Sequence, residues 1–81
     1  MKNELVIKAF MNNQYAQSKN LRSAGINLYS YNLRIGITDD SGRKHVFNYT
    51  APGGDFRSHT TSKHIGLARE LGCIVLPIPK V

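Results

Sequence analysis

The sequence predicts an α+β fold: a four-stranded, mainly antiparallel sheet in the order β-β-β-α-β, with one helix packed on one face. Three observations carry it. Apolar and polar residues alternate across 26–38. A turn signal at 39–42 joins that run to a second β-rich run. A capped helical stripe then precedes a short apolar tail.

Residues 4–11, ELVIKAFM, read as a strand with apolar residues on both faces, which suits a central position. Residues 12–25, NNQYAQSKNLRSAG, are polar and read as a loop, with Tyr15 and Leu21 pinning it to the core. In 26–38, INLYSYNLRIGIT, one continuous strand buries Tyr29, Tyr31, Leu33, Ile35 and Ile37. Ser30, Asn32, Arg34, Gly36 and Thr38 form its wet face. The return strand is 43–50. A three-residue loop, Asp40-Ser41-Gly42, pairs Ile37 with His45, Ile35 with Phe47 and Leu33 with Tyr49, with Gly42 at positive φ. APGGD at 51–55 reads as a mobile excursion. The helix runs from about Ser62 to Leu71, with Thr61 as N-cap (Thr60 the alternative) and Gly72 at the C-terminal cap. Residues 73–78, CIVLPI, form a last strand, which Pro77 confines to a sheet edge or ends.

The 81 residues make one domain, 1–81, that buries roughly 60–65% of the surface its unfolded chain exposes. A second copy of the chain, as a homodimer, would add burial. Hydrophobic content of 41% against 20% charged excludes a disordered chain. No apolar run approaches the roughly 20 residues that span a bilayer, so no membrane partner is expected. Glu4 and Lys8 break up any signal peptide, and the lone Cys73 permits no intrachain disulfide. The expected location is the cytoplasm. Eleven Lys and Arg against five Asp and Glu give +6, which favours a polyanionic partner.

His45, His59, His64 and Cys73 lack the paired spacing of a structural zinc site, so no metal and no cofactor is expected. Asp55, His59, Ser62 and His64 make no recognisable catalytic set, and the chain reads as a non-enzyme. Residues 56–64 are the better candidate. Arg57, His59, Thr60, Thr61, Ser62, Lys63 and His64 would gather cations and hydroxyls at a helix N-terminus, where free amides favour an anion or a partner carboxylate. The P-loop glycine–lysine pattern is absent. A second set, Lys19, Arg22, Arg34, Arg43 and Lys44, is interleaved with Tyr29, Tyr31 and Tyr49, as in grooves that hold nucleic acid.

The segment containing Leu28, Tyr29, Ser30 and Tyr31, with Thr60, Thr61, Ser62, Lys63 and His64, resembles small uncharacterised proteins of bacteriophages and mobile elements. There, a segment like LYSY leads a strand and TTSKH opens a C-terminal helix. The resemblance implies a phage accessory protein without assigning an activity. The leading expectation is therefore a non-enzymatic accessory protein that binds nucleic acid or a host nucleoprotein complex, with an anti-defence inhibitor of the anti-CRISPR kind as one form. The alternatives are a stand-alone DNA- or RNA-binding regulator and a phosphate- or nucleotide-dependent enzyme subunit.

Overall fold

The computed structural model describes residues 2–49 and 59–77. The expected excursion at 51–55, Arg57 and Asp55 lie outside them. The fold is α+β, with six strands and two helices among the described residues rather than four and one.

The chain opens with helix α1, Asn3–Met11, where a strand was expected. Val6, Ile7 and Phe10 are buried while Leu5 is half exposed, a stripe with helical spacing. A short apolar run with residues on both faces fits a central strand or a helix equally, and the packing decides. Glu4 in the first turn and Lys8 in the last suit the helix dipole, and they pair at 3.2 Å across one turn.

Five antiparallel strands follow as a meander: β1 Ala16–Gln17, β2 Leu21–Ala24, β3 Asn27–Ser30, β4 Leu33–Thr38 and β5 Lys44–Phe47. The expected loop at 12–25 thus holds two strands, and 26–38 is a hairpin rather than one strand. Its two-residue turn is Tyr31-Asn32, with Tyr31 at φ +56, and Ser30 pairs with Leu33. Gly25, at φ +65, opens the matching turn between β2 and β3, where a tight hairpin needs positive φ.

Between β4 and β5 the expected three-residue loop is present. Gly42 has φ +87, and Ile37 pairs with His45 and Thr38 with Lys44. Asp39 organises the turn: its Oδ1 accepts from the Ser41 and Arg43 amides, each at 2.9 Å. The expected sides hold only in part: Ile35 is in the core as expected, and beyond it the faces of β4 and β5 are reversed. Lys44, Val46, Gly36 and Thr38 face the helices, so Ile37 and His45 lie on the other side. A β-bulge opposite Leu28 and Tyr29 leaves Ile35 unpaired, and it buries Ile35 together with Gly36.

Helix α2, His59–Glu70, starts one turn earlier than expected, so Thr61 lies inside its first turn instead of preceding it. It ends in a Schellman motif: Gly72 N–H donates to Arg69 O and Cys73 N–H to Ala68 O, with Gly72 at φ +110. The chain then enters β6, Ile74–Leu76, which pairs in parallel with β5 at the sheet edge and stops before Pro77. Both helices cover one face of the sheet. Val6, Ile7, Phe10, Ile65 and Ala68 pack there against Leu21, Leu28, Ile35 and Val46. No helix among the described residues is long and apolar enough to cross a membrane.

Candidate nucleic-acid interface

With both helices on one face, strand alternation sends a defined set of side chains to the other. Register aligns them: Gln17 pairs with Arg22, Arg22 with Tyr29, and Tyr29 with Arg34. The result is a row across four adjacent strands, Gln17–Arg22–Tyr29–Arg34. Arg22 and Arg34 are exposed and Tyr29 is half buried. The Arg22 guanidinium carbon stands 4.4 Å from the Tyr29 ring centroid.

The row runs into a cleft at one end of the sheet. The turn between β1 and β2 and the turn between β3 and β4 meet there, tied by Tyr31 N–H donating to Asn20 O at 2.8 Å. The cleft has a volume of about 260 Å³ and is lined by Lys19, Asn20, Arg22, Tyr31 and Asn32 among others. The Tyr31 side chain is 52% exposed. Beyond Arg22 a second recess, about 240 Å³, is bordered by Tyr15 and Gln17. Tyr15 is 81% exposed, so it does not pin a loop to the core; Leu21 does.

The structure brings Lys19, Arg22 and Arg34 together with Tyr29 and Tyr31. It separates them from Arg43, an exposed residue at the opposite end of the sheet beside the Asp40–Gly42 turn. Lys44 is not on the surface at all. The register turns it towards the helices, where its Nζ donates to Asn13 Oδ1 and Thr38 Oγ1 and lies 4.8 Å from the Phe10 ring centroid. Burial lowers its pKa.

The residues of the α2 start divide into two groups. His59 and Lys63 are exposed, and Thr60 and Ser62 are half buried. Thr61 and His64 point inward. Ser30 Oγ lies 3.0 Å from Thr61 Oγ1 and 2.8 Å from His64 Nδ1. Burial lowers the His64 pKa, and its Nε2 has no partner among the described residues. The Ser30 and His64 side chains are both buried, and the contact ties α2 to β3. Because Ser30 immediately precedes the Tyr31 turn, this docking sets the start of α2 at the same end of the sheet as the Lys19–Tyr31 cleft.

Other titratable clusters offer less. Asp39 Oδ2 accepts from His45 Nε2 at 2.8 Å; this bond, then those from Ser41 and Arg43, hold the carboxyl well below the usual carboxylate range. Burial pushes the Cys73 thiol up to about 11. Among the described residues no three His, Cys, Asp or Glu side chains gather as metal ligands.

Sequence reasoning singled out Arg22, Arg34 and the nearby Tyr29 and Tyr31, but it expected both rings on the buried face, whereas Tyr31 is exposed. It missed Gln17 and the exposed Tyr15, because a two-residue strand leaves no periodicity to read. No family model matches the sequence, and no curated protein or solved structure matches it.

Proposed function

We propose that the protein is a non-enzymatic nucleic-acid-binding module whose contact surface is the helix-free face of the sheet. The observation that carries this reading is the Arg22–Tyr29–Arg34 row, with Lys19 and Tyr31 in the adjoining cleft. Cations at the rim neutralise phosphates, and rings between them offer flat surfaces to bases. The net charge of +6 supports the same partner class. Titration of fluorescently labelled DNA and RNA at about 50 mM salt tests the reading. Binding that weakens steeply with added salt supports it; no binding to either polymer defeats it.

The finer form of the proposal is a phage or mobile-element accessory protein, for which the LYSY and TTSKH segments are the support. There the partner is a host nucleoprotein complex, with His59 and Lys63 at the α2 start adding contacts beside the cleft. A pull-down from bacterial lysate with and without nuclease separates the two forms. A protein complex retained after nuclease treatment supports the accessory inhibitor, and loss of all bound material supports the stand-alone binder.

A further inference from the structure

Resting on that reading, we infer that the face is built for single-stranded nucleic acid and discriminates against duplex, with the cleft beside Tyr31 receiving an unpaired base. Three observations carry this.

The first is shape. The row crosses four strands spaced about 4.8 Å apart, a breadth of roughly 14 Å. A duplex major groove, about 12 Å wide, admits a helix or a two-stranded ribbon, not a sheet face of this breadth. Both helices are occupied on the opposite side, so neither projects from this face.

The second is the exposure of the rings. Tyr15 and Tyr31 are 81% and 52% exposed, and Tyr29 is half buried under Arg22. A duplex hides the faces of its bases in its own stack, so such rings gain little from it. A single strand presents those faces, and every base has one.

The third is the backbone of Tyr31. It holds φ +56, a conformation that bulky side chains seldom adopt and that asparagine tolerates better. The turn therefore keeps a large ring where local preference would favour a small polar residue. Tyr31 lines a cleft that Lys19 and Arg22 also line. At about 260 Å³ the cleft has room for a base, with cations at hand for the adjoining phosphate.

The test uses the full chain and two labelled DNA probes of about 12 nucleotides or base pairs. One is a single strand without self-complementarity and the other is the same sequence closed as a duplex hairpin. Fluorescence anisotropy gives both affinities at one salt concentration. The expected result is at least about a tenfold preference for the single strand. Tyr31→Asn, which suits the backbone and deletes the ring, should lower single-strand affinity about tenfold and leave duplex affinity unchanged; Tyr31→Phe should bind as the parent does. Thermal melting of Tyr31→Asn at or above the parent value shows that the loss is not unfolding. Equal affinity for both probes, or an unaltered Tyr31→Asn, overturns the inference while nucleic-acid binding itself stands. Absence of binding to both probes, and to RNA of the same sequence, overturns the inference and the underlying reading together.

Discussion

Arg22 and Tyr29 occupy paired positions on neighbouring strands, with the guanidinium carbon 4.4 Å from the ring centroid, and Arg34 holds the paired position on the next strand. An exposed cation–π contact of this kind contributes only about 0.5–1 kcal/mol. The row therefore matters little to the fold, and its charges can be changed without dismantling the sheet.

Reversing both charges, Arg22→Glu with Arg34→Glu, should cost at most about 2 kcal/mol of stability. It should remove two phosphate contacts. On a single strand each contact contributes about 0.7 to the slope of log affinity against log salt, so the slope should flatten by about 1.4. Anisotropy titrations at several salt concentrations measure this. An unchanged slope in a folded double variant would take the row out of the interface.

The Ser30 hydroxyl joins β3 to both Thr61 and His64 of α2. Ser30→Ala deletes it and leaves the His64 Nδ1 without this partner in a buried site. The expected cost is about 1–3 kcal/mol, because an unsatisfied buried polar group loses its hydration without compensation. Urea denaturation measures it. The loss should also reach the cleft, since Ser30 fixes the strand just before the Tyr31 turn. A change smaller than about 0.5 kcal/mol would mean that apolar packing alone docks α2.

How much of this was written in the sequence varies by element. The Asp40–Gly42 turn was legible because one loop length satisfies both the glycine and the pairing of Ile37 with His45. The α2 C-terminus was legible because Gly72 is a local signal. The α1 segment was not: Val6, Ile7 and Phe10 lie on one helical stripe, yet the run is too short to exclude a strand. The hairpin at Tyr31-Asn32 was hidden because a turn there places tyrosine, not glycine, at positive φ. The alternation across it still looks like one strand. The turn explains why Ser30 is inside while Tyr31 is outside, and the bulge that buries Ile35 and Gly36 shifts the phase again, which turns Lys44 inside. The arginines of the proposed interface were legible as charges, and the row they form depends on pairings that only the folded sheet supplies.

Acid should weaken the protein through His64 before it does so through Asp39. Burial lowers the folded-state pKa of His64 below its ordinary 6.5. As pH falls below that value the unfolded chain takes up a proton that the folded chain declines. The unfolded state then binds more protons, so stability falls with falling pH and levels off once the folded pKa is passed. The Asp39 carboxyl, also lowered, contributes stability that is lost only below its ordinary 3.8. Denaturation midpoints measured between about pH 7.5 and 4.5 follow the histidine range and stay above that of Asp39. His64→Gln, which cannot take up that proton, should flatten this limb. Parallel profiles for parent and variant would assign the acid loss elsewhere.

Gly36 and Gly42 should resist substitution for different reasons, and two pairs of variants separate them. A Cβ at Gly36 would stand 2.9 Å from the Leu28 Cβ and 3.3 Å from Phe10 Cζ, where α1 crosses the sheet. Gly36→Ala should therefore cost about 1–3 kcal/mol through overpacking. Phe10→Leu shortens the side chain above it, so the double variant should lose less than the sum of the single losses. Gly42 has open space around it and φ +87, so only backbone strain opposes a side chain. Gly42→Val should cost on the order of 1–2 kcal/mol, and Gly42→Asn, which tolerates this region, distinctly less. Phe10→Leu should not relieve Gly42→Val, because the two sites share no contact. Thermal denaturation of this set measures each term. Strict additivity of Gly36→Ala with Phe10→Leu would show that α1 does not rest on Gly36, and equal losses for valine and asparagine at position 42 would show that φ there is not what the turn requires.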